Sequence, residues 1–187
     1  MSKIYRFQIL QTRRLSYSIL SFLSQNSMEA TIRPSIGVVR EFMYRPDFFE
    51  NLCYPGFYID STLFPAPTFP VSNVADDSNR LLLGPFCGKP ACQFINTAPG
   101  KARGVCADAF LKRETLVVPE VDLYPGHIAC DGETKSEIVV PLVHKIGDHV
   151  HNYGVLDLDC LAVNGFTEED RIGLERIVDL IVNACNW

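Results

Sequence analysis

Two apolar runs separated by a short polar turn constrain this chain more than any other feature: "SEIVVPLVH" at 136–144 and "HNYGVLDLD" at 151–159. Each is short, apolar and bounded by turn chemistry, so each reads as a strand. The connecting segment, 145–150, contains the polar, glycine-bearing "KIGD", which predicts neighbouring strands in an antiparallel sheet. Both runs carry acids inside apolar sequence: Glu137 at the head of the first, Asp157 and Asp159 at the end of the second. Residues two apart on a strand share a face. The aspartates therefore point one way, and Leu156 and Leu158 point the other, toward a core. A buried strand does not ordinarily begin beneath clustered carboxylates, yet "HIACDGETKSEIVVPL" (127–142) sets Cys130, Asp131, Glu133 and Glu137 together there.

The rest of the chain supplies an α+β plan. "MEATIRPSIGVVREFMYR" reads as a helix weakened by Pro34 and Gly37, and "GFYID" as a short β-prone run. "STLFPAPTFPVSNVADDSN" is a proline-rich loop. "RLLLGPF" and "PACQFI" are strand candidates in a hairpin-like pair, "VCADAFLKR" a helix, "ETLVV" a strand, and "VPEVDLYPGH" a loop with a Pro125-Gly126 turn. The clearest signal is terminal. Thr167 opens "TEED" as an N-cap with Asp170 at the reciprocal capping position. Leu174, Ile177, Val178, Ile181 and Cys185 then follow at helical spacing. The expectation is a mainly antiparallel sheet with helices covering one face, including N- and C-terminal helices.

The 187 residues suit one domain with an appendage, divided as 1–27 and 28–187. Residues 1–27 contain Lys3, Arg6, Arg13 and Arg14 and no acid, which reads either as a first helix or as a mitochondrial targeting segment. Seventeen basic against 22 acidic residues give a net charge of −5, a poor balance for gripping phosphate backbones, so nucleic acid is not expected as a partner. No run approaches the about 20 apolar residues of a membrane span. The seven cysteines, at 53, 87, 92, 106, 130, 160 and 185, are odd in number and lack C-x-x-C spacing. That disfavours a secreted disulfide framework and a structural zinc site. Thiol chemistry or simple packing remains, in a reducing compartment such as the cytoplasm.

Cys130 with its acids, the Asp157/Asp159 pair, and the thiols of Cys92 and Cys106 form a candidate constellation. If Glu137 meets the aspartates in a partly desolvated pocket, the three carboxyls cannot all ionise cheaply, and one stays a proton donor. An acid beside a thiolate is what reduction of an S=O or O–O bond requires. The plain alternatives are a solvated Asp/Leu strand and a thiol whose ionisation nearby acids suppress. His144, His149 and His151 are read as a polar hairpin tip rather than a metal site, and Cys53, Cys87, Cys160 and Cys185 as packing.

Five blocks, "LLLGPFCGKPACQFI", "GKARGVCADA", "YPGHIACDGETKSEIVVPL", "GVLDLD" and "FTEEDRIGLERIV", together resemble the free methionine-(R)-sulfoxide reductases, enzymes built on the GAF fold. The resemblance covers most of 54–182. It implies that Cys130 attacks the sulfur of free methionine-(R)-sulfoxide and becomes a sulfenic acid. It further implies that Cys106, taken first as the other essential thiol, or Cys92 with the roles reversed, resolves this species to a disulfide, that thioredoxin restores the thiols, and that no cofactor is bound. By the same resemblance Glu137, Asp157 and Asp159 hold and protonate the sulfoxide oxygen, with Tyr54 and Tyr58 as an aromatic pair. Tyr54 stands where the family usually has Trp, "GVCADA" replaces "GVCGTA", and the segment between Cys92 and Cys106 is longer than usual. A homodimer is left open. The rival reading is a GAF module that binds a small ligand without turning it over.

Overall fold

The computed structural model describes residues 52–64, 79–86, 92–128, 132–185 and 187, the side chains at 52–54 and 85 excepted. The 1–27 segment and the helix expected at 28–45 lie outside the described residues, as does most of the proline-rich 61–79 loop.

The long C-terminal hairpin organises everything else. Strands β5 (Ser136–Ile146) and β6 (His149–Cys160) pair antiparallel, with Glu137 opposite Asp159 and Val139 opposite Asp157. The strands run further than their apolar cores. Lys145 and Ile146 extend β5, and His149 and Val150 extend β6, leaving a two-residue turn at 147–148. Gly147 makes that tight turn feasible by taking φ +59°. Around the hairpin, β1 (Leu52–Asp60), β2 (Arg80–Phe86), β3 (Phe94–Asn96) and β4 (Leu116–Val118) complete a six-stranded antiparallel sheet in the order β3-β2-β1-β6-β5-β4. β3 is shorter than "PACQFI": pairing with β2 begins at Phe94, while the Gln93 carbonyl accepts from the Leu83 N–H.

Two α-helices lie among the described residues. α1 spans Gly104–Lys112 and ends where Arg113 takes φ 59° and donates its N–H to the Ala109 carbonyl. α2 spans Glu168–Ala184 behind the expected capping box: the Thr167 hydroxyl accepts from the Asp170 N–H, and the Asp170 carboxylate accepts from the Thr167 N–H. Cys185 is the C-cap of this helix rather than part of its body.

The expectation of helices on one face is corrected. α2 packs Leu174, Ile177, Val178 and Ile181 against Phe57, Ile138, Val140, Leu156 and Leu158. α1 packs Val105, Cys106, Ala107 and Ala109 against Tyr58, Val139 and Val155, the intervening residues of the same strands, and thus lies on the opposite face. Strand alternation supplies both surfaces, because these central strands are apolar on both sides. Small residues on α1 let its backbone approach the sheet closely. β1 and β6 also press together tightly. A Cβ on Gly154, which takes φ +151°, would fall 2.0 Å from the Tyr58 carbonyl oxygen.

Candidate active site

The face beneath α1 collects the acids. Glu137 shares it with Val139, and Asp157 and Asp159 share it with Val155, so strand alternation and pairing alone bring three carboxyls together. α1 covers them, leaving Glu137 at 5%, Asp157 at 4% and Asp159 at 6% exposure. The solvated-strand alternative is thereby excluded. From the first turn of α1, Cys106 points its thiol at Glu137, with Sγ 3.7 Å from Oε1. The donor atoms of Cys106, Glu137 and Asp157 all lie within 4.8 Å of one another. On the other side of Glu137, His127 Nε2 stands 3.5 Å from Oε2. Asp157 Oδ1 is buried with no hydrogen-bond partner among the described residues.

These groups line a cavity of about 20 Å³, together with Thr134, Ile128 and the opening residues of α1, Arg103 to Val105. Such a volume admits one oxygen atom or one water. The N-terminal turn of α1 brings the partial positive end of a helix beside the acids. No Asp, Glu, Ser or Thr caps that end: Arg103 holds the N-cap position without a side-chain cap.

Charge cannot be retained on every acid in so dry a place. Burial, reinforced by Asp159, raises Glu137 to about 8, and burial together with Glu137 holds Asp157 well above the usual carboxylate range. At neutral pH the cluster therefore carries protons. Burial, then Asp157 and Glu137, raises Cys106 well above an ordinary thiol, so it is a neutral S–H donor and not a thiolate. Burial lowers His127. With both partners neutral near pH 7, the His127–Glu137 contact joins an imidazole to a carboxylic acid rather than two ions.

Other residues singled out from the sequence fall as follows. Cys92 precedes β3, is half-buried and is disulfide-bonded to a cysteine outside the described side chains; Cys106, Cys160 and Cys185 are free and buried. Tyr58 is fully buried on the acid face, not in the cavity wall, and its hydroxyl donates to the Cys92 carbonyl at 3.1 Å. Tyr54 pairs with Asp159 through its backbone, its side chain lying outside the described set. Cys130 and Asp131 lie outside the described residues. His149 and His151 are 6.4 Å apart by ring centroid, and His151 stacks on Tyr153, which stacks on Trp187. Among the described residues they join no cluster of three metal donors. His127 and Thr134 line the site and were not singled out; "GHIAC" contains His127, but a single histidine carries no periodic signal.

An antiparallel sheet with α1 and α2 on opposite faces and a small polar hollow under one helix defines the GAF fold. A solved structure described as that of the GAF domain superposes with a TM-score of 0.62 at 34% identity, covering 95% of this chain and 90% of that one. The free methionine-R-sulfoxide reductase of Neisseria meningitidis, solved in complex with its substrate, matches with a TM-score of 0.57 at 31% identity over 80% of this chain and 73% of that one. The chain belongs to the free methionine-R-sulfoxide reductase family of GAF-fold proteins. It is also 50% identical over 111 residues to the free methionine-R-sulfoxide reductase of Saccharomyces cerevisiae, a match spanning 59% of this chain and 58% of that protein. The chain thus covers less than two thirds of that curated relative. No family model matches it.

Proposed function

We propose that this protein reduces free methionine-(R)-sulfoxide to methionine. The supporting observation is the buried, proton-bearing carboxyl cluster around a hollow of one-oxygen size, with Asp157 Oδ1 left unpartnered in it. The sulfoxide oxygen enters that hollow and accepts a hydrogen bond from protonated Glu137 or Asp157. The Cys130 thiolate attacks the sulfoxide sulfur while the carboxylic acid gives its proton to the oxygen. Methionine leaves and oxygen remains on Cys130 as a sulfenic acid. A second thiol then attacks this sulfur, forming a disulfide and releasing water.

Cys92 is the better candidate for that second thiol. It is already disulfide-bonded, whereas Cys106 is free, buried and held protonated among acids. Cys106 instead serves as a neutral donor that orients Glu137. Thioredoxin, an external dithiol, returns the enzyme to its reduced form by exchange. Such a cycle belongs in a reducing compartment, the cytoplasm or, should residues 1–27 direct it there, the mitochondrial matrix.

The test is NADPH consumption with thioredoxin, its reductase and free methionine-(R)-sulfoxide. Turnover is expected, and Cys130→Ser abolishes it. Absence of turnover above blank with the reduced protein would leave the family's fold serving as a ligand-binding module instead.

A further inference from the structure

The same three donors that surround the hollow have a second chemical capacity. We propose that the reduced protein binds one borderline-soft divalent cation of the Zn2+ or Co2+ type between the Cys106 sulfur and the carboxylates of Glu137 and Asp157.

Three independent elements supply the ligands: α1 gives Cys106, β5 gives Glu137 and β6 gives Asp157. Their donor atoms lie within 4.8 Å of one another, and the Cys106 Sγ to Glu137 Oε1 separation is 3.7 Å. Tetrahedral zinc, with Zn–S near 2.3 Å and Zn–O near 2.0–2.2 Å, spaces a sulfur and an oxygen ligand by about 3.5 Å. The sulfur–oxygen pair is therefore already near the ligand spacing, and the pairs with Asp157, all within 4.8 Å, close by side-chain adjustment rather than by a rearrangement of the fold. Asp157 adds a further indication: one oxygen of its carboxyl belongs to the cluster beside Cys106 and Glu137, and its Oδ1 is buried without a hydrogen-bond partner among the described residues. A hollow of about 20 Å³ is large enough to hold one ion.

The ligand set also selects the ion. A thiolate excludes Mg2+ and Ca2+, which take oxygen ligands, and favours Zn2+ and its optical surrogate Co2+. On binding, the Cys106 S–H bond breaks and its proton leaves to solvent with any proton held by the two carboxyls; no electron moves. The resulting three negative charges face two positive ones, with the N-terminal end of α1 beside them. Three protein ligands leave the fourth tetrahedral position open for water. Because the hollow is also where the sulfoxide oxygen is proposed to enter, metal and substrate exclude one another. That last consequence rests on the reductase reading; the binding itself does not.

The experiment titrates Co2+ into the full, freshly reduced chain and follows absorption. The expected result is a near-ultraviolet thiolate-to-cobalt charge-transfer band with visible tetrahedral bands, saturating at one equivalent and displaced by Zn2+. Cys106→Ser removes the charge-transfer band. Asp157→Asn weakens Co2+ binding by at least about tenfold, as loss of a ligand should. Circular dichroism checks that each variant is folded, and if Cys106→Ser is not, the Asp157→Asn affinity alone decides. No band in the native protein, a band undiminished in folded Cys106→Ser, or unchanged affinity in Asp157→Asn overturns the proposal. Turnover is not the readout, so failure of the reductase assay and failure of metal binding are separately visible.

Discussion

At the scale of single residues, Glu137 carries the sharpest expectation. It sits under α1 with Cys106 on one oxygen and His127 beside the other, and burial keeps it protonated up to about 8. Glu137→Gln keeps the shape and one donor but cannot release a proton. We expect kcat/KM to fall by about 10²–10⁴, the range for loss of general acid catalysis. In the native protein the rate component that depends on this proton declines as pH rises through about 8. A steady-state pH profile of both forms checks this; a native-like rate in Glu137→Gln would remove the residue from the role. The juxtaposition of Asp157 and Asp159 was legible from alternation by two. Their burial was not, because "LDLD" is equally the pattern of a wetted strand, and only the covering helix distinguishes the two.

Elements differ in how locally they are encoded. α2 was readable almost to the residue: its capping box, first-turn acids and apolar stripe all act within a few positions of one another. Thr167→Ala removes the cap and should cost about 1 kcal/mol in urea unfolding. Ile177→Ala, at 1% exposure in the α2 core, should cost about 2–5 kcal/mol. Both lie on the face away from the acids, so kcat of the folded variants should remain near native, and a large kcat loss would contradict the separation of the two cores. α1 was readable as a helix but not as the lid of the site. Its buried residues, Gly104, Val105, Cys106, Ala107 and Ala109, are mostly small, and nothing local says against which side of the sheet they settle. The limits of β3 and of the hairpin strands were likewise fixed by pairing partners distant in sequence.

For the whole molecule, the protonated acids make stability depend on pH. Glu137 ionises near 4.5 when unfolded and near 8 when folded, so between those values the native state binds more protons than the unfolded one. Its favourable contribution is complete below about 4.5 in relative terms and is lost progressively as pH climbs toward 8. Asp157 acts with the same sign. Urea unfolding at pH about 5.5 and about 8.5 should find the reduced protein more stable at the lower value, and Glu137→Gln should flatten the difference; stability that rises with pH would contradict the protonated cluster.

Among the described residues the three acids ride on one hairpin, Glu137 on β5 and the aspartates on β6, and each strand face belongs to a different helix. A slip of a single position along either strand would trade faces, driving carboxyls into the oily stripe of α2 and leucines into the polar hollow. No misaligned form can therefore persist as a well-packed but inactive protein: alignment errors forfeit folding and chemistry at once. The outer end of the hairpin, exposed from Lys145 to His151, is under no such constraint, and evolution is free to lengthen it in matched pairs without touching the reaction.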